Sequence, residues 1–576
     1  MTHQRFGRNA RALVRASAEP IAPPTWLLPT SAVWTVAILV SLLSAVYLGE
    51  TEGWPAGFFA SAVMLTIGAL FVILFRRILP AVVLVGAVIA ITRAASYVKQ
   101  QTTEVLLHAY DLVSLLSSWS ALNYFWRDHR QHALGLIAAV LATAVVACIA
   151  YRFDATRIQR RHAAGATVLF LCLACVASAA KGERRHTEFY FENVYVSFFF
   201  ASWSETLEAL WRGELIEAAA AHPSDPGLKV SAACELRSKP PHIILIHQES
   251  IVPPSHFPSL SYDRSLDPFF HSYDGQLRKL RVETYGGASW LTEFSVLTGL
   301  SAFSLGNLRQ FAQTIMAGRV RETLPQALAR CGYRNVAFHP MLRIYLSIGN
   351  FLNAIGVHQV FDAKDQGAKS ATERDRFYYS SALAEMEHHF KTSSQPLFTF
   401  IETMATHGPY SYTYMPEVVV PGGADTDPAM HEYLRRLSMA GADYDFLRSE
   451  LARRFPDQPF LIVRYGDHQP TATMTLLGFG EEASVEDVLR SGNPATLVTY
   501  YAVSAVRYQP PPLPRLEALD VPYVPSVILA SAGLPLSDVN HERLRLMTLC
   551  NGHYHGCLEI PGFHRRLIDS GIIDAW

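Results

Sequence analysis

The chain has 576 residues, of which 50% are hydrophobic and only 17% are charged, and its mean hydropathy is +0.14. Its net charge of −1 combines +8 over residues 1–181 with −9 over the remainder. This split predicts a membrane part followed by a water-soluble part. It excludes a disordered chain, a small disulfide-rich scaffold and a nucleic-acid-binding protein with one dominant basic surface.

Five apolar stretches in the first part are candidates for crossing a bilayer, which takes about 20 helical residues. They are Ser31–Gly49, Trp54–Phe75, Ile78–Val98, Leu134–Tyr151 and Ala166–Ala180. Arginine clusters occur at 5–15, 76–77 and 152–161. All three clusters are cytoplasmic if an even number of crossings separates them. We therefore predict five spans, with the N-terminus inside and the large C-terminal part facing the periplasm or the outside of a bacterial inner membrane.

Residues 104–126 are the ambiguous segment, since they are apolar but contain His108 and Asp111, and Arg127 follows. A sixth span here would place the C-terminal part in the cytoplasm and the 152–161 arginines outside. We predict instead an interfacial or re-entrant helix on the outer face. Asp111 and Arg127 either contact a lipid headgroup there or simply lie at the interface. Lys181, Arg184 and Arg185 oppose this order, but a long following domain weakens the charge rule.

Residues 182–240 are predicted to be an interfacial helix and a linker between a transmembrane domain, 1–181, and a catalytic domain, 241–576. Phe189–Trp211 is rich in aromatic residues, which is typical of a helix at headgroup level. His222–Lys239 is rich in Pro, Ser and Ala and indicates a loop.

From residue 241 onward, strand patterns alternate with helical ones. This predicts an α/β domain with a mostly parallel sheet covered on both faces. The predicted strands are His242–His247, Leu280–Thr284, Asn335–His339, Leu397–Thr403, Phe460–Tyr465 and Leu497–Ser504. The predicted helices include Arg321–Cys331, Ser380–Lys391, Met430–Phe455 and Val524–Ala532.

Polar residues that can bind a metal follow several of these strands, at the edge where α/β sheets collect their functional groups. They are Glu249, Ser289, His339, His407, Asp467 and His468. One hydroxyl, two carboxylates and one imidazole suit a divalent ion such as Zn²⁺ or Mn²⁺. A metal-bound serine is acidified and becomes a usable nucleophile, and the metal stabilises charge on a phosphoryl group. Each residue alone has an ordinary structural explanation, but together they predict a metal-dependent phosphotransfer site.

The motifs HQES, GGASWLTEFSVLTGLSAFS, THGPY and YGDHQP resemble those of the alkaline phosphatase/sulfatase superfamily. The resemblance covers about residues 241–535. It is greatest to the membrane-anchored lipoteichoic acid synthase-like phosphoglycerol transferases and the related phosphoethanolamine transferases. It implies an alkaline-phosphatase-like α/β/α sandwich. It also implies Glu249, Ser289, Asp467 and His468 as metal ligands and Ser289 as the nucleophile, where most relatives have Thr. His407 and His339 match positions that hold the substrate phosphate or assist the leaving group.

Three departures from that resemblance concern the substrate. Lipoteichoic acid synthases hold glycerol phosphate with a Trp and an Arg where this chain has Leu346 and Ile348. Arg343 lies close by and is either a replacement phosphate contact or a surface residue. The additional His that phosphoethanolamine transferases carry after their Asp–His pair is not evident here. The Cys/Ser-x-Pro-x-Arg motif of formylglycine sulfatases is also missing around Ser289, which argues against sulfate ester hydrolysis by that route.

Four of the seven cysteines, Cys234, Cys331, Cys550 and Cys557, are predicted to lie outside the cytoplasm, where disulfides form. Cys550 and Cys557 enclose a short loop with His553 and His555. We predict a disulfide-closed loop here in preference to a second metal site. Glu293 is predicted to pair within the helix that begins at Ser289, and Glu402, on the strand before His407, to have a buried partner rather than a catalytic role.

The sequence thus predicts a membrane-anchored transferase with one divalent ion, Mn²⁺ or Zn²⁺. It would move a phosphoethanolamine or phosphoglycerol headgroup from a membrane phospholipid to a glycan or lipid-linked sugar through a phosphoserine intermediate, with no role for nucleic acid. Two alternatives remain open. One is an anchored phosphodiesterase, phosphatase or other sulfatase-like hydrolase with water as the acceptor. The other is a non-catalytic envelope protein with a relict domain.

Overall fold

A computed structural model describes most of the chain. The described residues are 27–50, 54–103, 106–117, 126, 130–180, 194–212, 215–220, 227–230, 234–236, 239–343, 345–370, 372–418, 427–480 and 482–574. They form two compact units, one containing the described residues up to 180 together with 194–203, and the other those from 204 onward. The N-terminal arginines, Arg127, Lys181, Arg184 and Arg185 lie outside the described residues, so the predictions that depend on them stay predictions.

The first unit is helical. Its helices are α1 (Leu27–Gly49), α2 (Trp54–Phe75), α3 (Ile78–Thr103), α4 (Ala109–Ser117), α5 (Arg130–Phe153), α6 (Arg160–Ala180) and the first part of α7 (Tyr195–Arg212). Among the described residues, four helices, α2, α3, α5 and α6, are long and apolar enough to cross a membrane. The remaining predicted span, Ser31–Gly49, lies within helix α1, which has 23 residues. An N-terminal membrane domain is therefore confirmed.

Within the ambiguous segment the structure describes one helix of nine residues, α4. Residues 118–125 lie outside the described residues, so the interfacial or re-entrant helix stays a prediction. Asp111 in its first turn accepts hydrogen bonds from the Lys99 ammonium and from the His108 N–H, both at 2.7 Å. Asp111 thus pairs with a residue of α3, which gives it a structural role independent of any lipid.

A buried carboxylate caps α7 within the first unit. Glu50 accepts hydrogen bonds from the N–H groups of Val196 and Ser197, at 3.0 and 3.2 Å, and from the Ser197 hydroxyl at 2.7 Å. Negative charge at a helix N-terminus satisfies its unpaired N–H groups and complements the helix dipole. The aromatic segment predicted to be a helix therefore forms one, and its first turn is buried rather than exposed.

The second unit is built on an eight-stranded sheet with the order β4-β3-β5-β1-β6-β7-β2-β8. The strands are β1 (His242–Gln248), β2 (Arg278–Arg281), β3 (Arg334–Phe338), β4 (Gln359–Phe361), β5 (Leu397–Thr403), β6 (Phe460–Gly466), β7 (Val498–Val506) and β8 (Ala518–Asp520). Only β7 runs antiparallel to its neighbours, β6 and β2. The mostly parallel sheet is confirmed, and β4 and β8, three residues each, extend its two edges.

Helices cover both faces of the sheet, which makes the predicted α/β/α sandwich. They are α8 (Asp267–Phe270), α9 (Ser289–Thr298), α10 (Ala312–Met316), α11 (Leu324–Arg330), α12 (Ile348–Ala354), α13 (Ala363–Gln366), α14 (Asp375–Thr392), α15 (Pro428–Arg454), α16 (Val485–Arg490), α17 (Val524–Ser531), α18 (Asp538–Leu549) and α19 (Ile560–Asp569). Ile244 and Ile246 of β1 pack with α14 and α15 on one face. Side chains alternate along a strand, so Ile243 and Leu245, equally buried, point to the other face.

Two disulfides join the four cysteines of this unit, Cys234 to Cys331 and Cys550 to Cys557. The loop with His553 and His555 is therefore closed by a disulfide, as predicted. Cys148, Cys172 and Cys175 of the membrane helices are free.

Candidate active site

The register of the central strands brings two distant motifs together. In the parallel pair of β1 and β6, Gln248 lies opposite Gly466. Glu249 directly follows β1 and Asp467 directly follows β6, so both residues leave the sheet at the same edge. The Asp467 Oδ1 atom then accepts hydrogen bonds at 2.7 Å from the N–H groups of Ser250 and His468, which ties the two strand ends to each other.

Ser289 is presented by a tight turn at the start of α9. Gly286 and Ala288 both have left-handed backbone conformations, with φ of 67° and 64°. The left-handed region is costly for a residue with a Cβ, and such strain is found mostly at functional sites. Because Ser289 begins α9, its hydroxyl lies beside the N–H groups of a helix N-terminus, which is a favourable place for phosphoryl oxygens. Thr292, nearly one turn later, donates to the carbonyl oxygen of Asp467 at 2.8 Å and fixes α9 against the strand ends.

Four of the predicted site residues meet at this edge, and we call Glu249, Ser289, Asp467 and His468 the catalytic cluster. The Ser289 hydroxyl donates to Glu249 Oε2 at 2.9 Å and lies 3.4 Å from His468 Nε2. His468 Nε2 is also 3.3 Å from Glu249 Oε1 and 3.3 Å from Asp467 Oδ2. The carboxylates and the imidazole are buried, whereas Ser289 is only half-buried and can meet a substrate.

The charges of the cluster reinforce one another. Burial alone would raise the pKa of Glu249, but His468 and His407, together with a hydrogen bond from Ser250, hold it well below its usual range. Burial would likewise lower the pKa of His468, yet Asp467 and Glu249 raise it to about 9. The two carboxylates therefore create a site that binds positive charge strongly.

The tautomer of His468 fits a metal ligand. Its Nδ1 lies 3.0 Å from the carbonyl oxygen of Gln469, and a carbonyl can only accept, so Nδ1 carries the proton. The lone pair of a neutral ring is then on Nε2, which faces both carboxylates and the serine. A hydrogen bond from one ring nitrogen to a carbonyl is the usual way in which a protein orients a histidine that binds a metal through the other.

His247 is an additional member of this region that the sequence reading did not single out. It is fully buried on β1, its Nδ1 is 2.8 Å from the Tyr465 hydroxyl, and its Nε2 is 3.3 Å from Asp467 Oδ2. Neither His247 Nε2 nor Asp467 Oδ2 has a hydrogen-bond partner. The one sequence signal for His247 is its position near the end of β1, two residues before Glu249.

A divalent cation fits this donor set. Among the described residues, His247, Glu249 and Asp467 each offer one ligand atom within 4.8 Å of the others, and all three are buried. Unpaired buried donors and acceptors are costly unless a ligand satisfies them. The mixture of carboxylate oxygen, imidazole nitrogen and hydroxyl suits Zn²⁺ or Mn²⁺ rather than a hard ion such as Ca²⁺.

A second group of titratable residues is also buried. We call Glu293, His339 and Glu402 the buried triad. Their ligand atoms also lie within 4.8 Å of one another. His339 Nε2 is 3.0 Å from Glu402 Oε2, and Gln313 donates to Glu293 Oε2 at 2.8 Å. His339 Nδ1, however, accepts a hydrogen bond from the Met341 N–H at 3.1 Å, so the ring proton is on Nε2. With this tautomer the protonated Nε2 faces Glu402 and is not available as a metal ligand, although Glu402 Oε2 and Glu293 Oε1 have no hydrogen-bond partner.

Protons also suit the triad electrostatically. Burial, and after it the neighbouring Glu402, raises the pKa of Glu293 to about 7. Burial would raise the pKa of Glu402 too, but His339 and His247 outweigh it and lower that pKa. One carboxyl that keeps its proton and one that loses it can share a small buried space.

His407 lies at the start of a segment that follows β5. It is half-buried, and its Nδ1 donates to the carbonyl oxygen of Gly408 at 2.6 Å. Its Nε2 is thereby left to exchange a proton. The Thr406 hydroxyl, one residue earlier, donates to the carbonyl oxygen of Glu249, which brings this segment to the catalytic cluster.

The two residues predicted to bind substrate have other neighbours. His339 is 4% exposed and belongs to the buried triad. Arg343 has its side chain 51% exposed and pairs with Asp362, at 3.0 Å, and with Asp365. Among the described residues, the structure shows no hydrogen bond from Arg343 to the catalytic cluster. Leu346 and Ile348 occupy the positions of the Trp and Arg with which lipoteichoic acid synthases hold glycerol phosphate, and neither side chain is charged.

Residues 242–486 match the family model of the sulfatases. An uncharacterized protein of Haemophilus influenzae is 25% identical over 245 residues, which are 40% of this chain and 41% of that protein. The chain thus matches about two fifths of the length of that curated relative.

Solved structures of similar fold include the Streptococcus pyogenes phosphoglycerol transferase GacH in complex with sn-glycerol-1-phosphate. It has a TM-score of 0.45 and 15% identity, over 60% of this chain and 87% of that one. The periplasmic domain of Escherichia coli EptC in complex with Zn has a TM-score of 0.38 and 14% identity, over 54% and 87%. These likenesses are too distant to transfer an activity to this chain.

Proposed function

We propose that the chain is a membrane-anchored, metal-dependent phospho-headgroup transferase, since residues 242–486 match the sulfatase family model, as the motifs predicted. Its donor would be a membrane phospholipid with a phosphoethanolamine or phosphoglycerol headgroup, and its acceptor a glycan or lipid-linked sugar. The observation that carries the proposal is the position of Ser289. Its half-buried hydroxyl stands at a helix N-terminus, 2.9 Å from Glu249 and within 3.4 Å of His468.

Ser289 is the proposed nucleophile. It attacks the headgroup phosphorus, the bond from phosphorus to the diacylglycerol oxygen breaks, and the headgroup phosphate stays esterified to Ser289. The acceptor hydroxyl then attacks that phosphorus and releases the serine oxygen. Glu249 accepts the hydrogen bond of the serine and, with its pKa held low, stays ionised to do so. The N–H groups at the start of α9 face the phosphoryl oxygens, whose negative charge they stabilise throughout the reaction.

Glu249, Ser289, Asp467 and His468 are the proposed ligands of one Mn²⁺ or Zn²⁺ ion, with His247 beside them. When bound, such an ion acidifies a serine hydroxyl and neutralises charge on a transferring phosphoryl group. Asp467 serves this role through Oδ2, because its Oδ1 is already occupied by two backbone N–H groups.

His407 is the proposed acid that protonates the departing diacylglycerol oxygen, or that orients the phosphate. Its Nδ1–H is committed to Gly408, which leaves Nε2 for the exchanged proton. Proton transfer of this kind contributes roughly 10²- to 10⁴-fold to a rate. His339 and Arg343 remain proposed substrate contacts; without substrate, His339 lies beside Glu402, and Arg343 pairs with Asp362 and Asp365.

The membrane helices support a lipid donor, because they hold the catalytic domain at a bilayer surface. We further propose that this surface is the outer face of a bacterial inner membrane, with the N-terminus in the cytoplasm. Both disulfides of the catalytic unit support an oxidising compartment. A reporter fused at the C-terminus and active only in the cytoplasm would contradict this orientation if it gave a signal.

The function is tested with the full-length protein in vesicles that contain headgroup-labelled phosphatidylethanolamine or phosphatidylglycerol. We expect Ser289→Ala to abolish release of diacylglycerol, and mass spectrometry of trapped wild-type protein to show a headgroup phosphate on Ser289. Ser295→Ala is the matched control, because it removes a hydroxyl from the same helix that bonds only to Glu283 and Ala302. Full activity of Ser289→Ala would overturn the mechanism. Equal release of headgroup phosphate with and without an acceptor would favour hydrolysis.

A further inference from the structure

A buried arginine lies under the segment that carries His407. Arg436 is on α15 and is only 1% exposed. Its Nε donates to Glu432 Oε1 at 2.7 Å, so its charge is paired within one turn of its own helix. A buried guanidinium is stable only if its other N–H groups also find acceptors.

Those acceptors are carbonyl oxygens of the His407 segment. Arg436 Nη1 donates to the carbonyl of His407, and Nη2 donates to those of Pro409 and Tyr412 at 2.9 and 3.2 Å. One rigid, planar side chain therefore holds three points of a six-residue stretch. The same guanidinium lies 5.0 to 5.2 Å from the ring centroids of Tyr410, Tyr412 and Tyr414, which adds cation–π attraction.

The residues just before His407 are fixed by other partners. The Ala405 N–H donates to Asp375 at 2.9 Å, and the Thr406 hydroxyl donates to the carbonyl of Glu249. From His407 to Tyr412 the carbonyl oxygens are held by Arg436, while the His407 N–H donates to the carbonyl of Met404 at 3.1 Å. Because His407 Nδ1 donates to the carbonyl of Gly408 at 2.6 Å, the direction of the ring follows the main chain of this same stretch.

We propose that Arg436 is a positioning residue for His407. It fixes the carbonyl of His407 and the chain beyond it, and thereby the direction in which His407 Nε2 points. This inference rests on the function proposed above for His407. Misplacing a proton donor by about 1 Å can cost on the order of 100-fold in rate, so a change at Arg436 reaches the reaction without touching the substrate.

The neighbouring residue is a matched control. Arg435 pairs with the same carboxylate, Glu432, at 2.8 Å. Its other donors reach the carbonyls of Tyr414 and Val418, beyond the stretch that determines the ring of His407. Arg435→Lys and Arg436→Lys therefore disturb the same ion pair, but only Arg436→Lys releases His407.

The test is a double-mutant cycle on the full-length protein in vesicles of phosphatidylethanolamine and phosphatidylglycerol, with diacylglycerol release as the readout. We expect Arg436→Lys to lower kcat by about 10- to 100-fold with little change in KM, and Arg435→Lys to lower it less than threefold. In a His407→Ala background, Arg436→Lys should add less than a twofold loss. A full additional loss in that background, or an equal loss from Arg435→Lys, would overturn the inference.

Hydrogen exchange of the backbone supplies a readout that does not depend on activity. Arg436→Lys should raise the exchange rate of the His407 amide, which donates to the carbonyl of Met404 at 3.1 Å, at least tenfold, while Arg435→Lys leaves it unchanged. Unchanged exchange in Arg436→Lys would count against the inference even if activity fell.

If Arg436→Lys does not fold, Tyr412→Leu removes one face of the aromatic contact at a residue that is 48% exposed. Its smaller loss of kcat should also vanish in the His407→Ala background, and persistence there would contradict the inference. A wild-type protein that released no diacylglycerol would refute the proposed function, while the exchange measurement would still decide whether Arg436 holds the segment.

Discussion

The catalytic cluster and the buried triad each combine two carboxyl groups with one histidine. They differ in the hydrogen bond that Nδ1 of that histidine makes. His468 donates from Nδ1 to a carbonyl, which leaves Nε2 as a free ligand for a cation. His339 accepts an N–H at Nδ1, which leaves the proton on Nε2, 3.0 Å from Glu402. Two groups of buried carboxylates and imidazoles thus suit different partners, a metal ion in one and protons in the other. The difference teaches that the surroundings of a histidine, rather than its proximity to carboxylates, determine which partner it binds.

The largest expected effect comes from breaking the catalytic cluster while leaving the triad intact. Asp467→Asn removes the anionic Oδ2 that faces two imidazoles, so the protein should lose its bound ion and at least a thousandfold of its activity, roughly the cost of disabling a concerted site. Metal analysis of the purified full-length protein should give one ion per chain in the wild type and none in Asp467→Asn.

The matched variant in the triad is Glu402→Gln, which should keep one ion per chain. Two ions in the wild type, one of them lost in Glu402→Gln, would show that the triad binds metal after all.

The next largest effect concerns Glu283, a buried carboxyl outside both groups, and the pH dependence of stability that its burial causes. Glu283 accepts hydrogen bonds from Ser295, Ser301 and the Ala302 N–H, yet burial raises its pKa to about 7. A raised carboxyl pKa means that the folded state holds the proton between the unfolded and folded values. The free energy of unfolding therefore falls as pH rises from about 4.5 to about 7, by on the order of 3 kcal/mol at most. Thermal unfolding of Glu283→Gln should lack this slope, and an identical pH dependence in both proteins would contradict the assignment.

A smaller effect is expected from Glu402→Gln on stability. The substitution removes the charge that faces His339 at 3.0 Å and leaves a buried imidazole N–H with a weaker acceptor. Loss of a hydrogen bond to a charged group costs about 2 kcal/mol. Denaturant unfolding should show this loss, whereas Arg334→Lys, at a partly exposed ion pair with Glu385, should change stability by less than about 1 kcal/mol. An equal loss in both would show that the triad is no more stabilising than a surface pair.

Much of the fold was predictable because the central strands are buried and largely apolar. Strands β1, β5 and β6 are buried at every residue, so their sequences read as uninterrupted strands with polar residues at the end. Those ends also gave Glu249, Asp467 and His468, since parallel strands bring their carboxyl ends to one edge. Strands β4 and β8 are only three residues long, which is too short to give a pattern. The antiparallel direction of β7 leaves no mark in hydrophobicity.

The parts of the site that escaped prediction depend on partners far away in sequence. His247 reads as an interior strand residue until Asp467, 220 positions later, faces it. Glu293 was expected to pair within its helix and Glu402 to have a buried partner, but nothing local indicates that His339 is the residue between them. Arg436 reads as one charge among several on a long helix, because its contacts are backbone carbonyls that have no sequence signature. Tautomers are likewise set by carbonyl and N–H groups, which every residue has.

The disulfide between Cys234 and Cys331 closes a loop in which both Glu249 and Ser289 lie. On a chain-entropy account, closing a loop of about 100 residues removes roughly 4 to 5 kcal/mol of disorder from the unfolded state. That contribution exists only where thiols are oxidised. Half of the catalytic cluster is thus stabilised by the chemistry of the compartment, so a copy of the chain retained among reducing thiols would lack part of the free energy that shapes its nucleophile. The second unit is therefore expected to be more stable where its thiols are oxidised than where they are reduced.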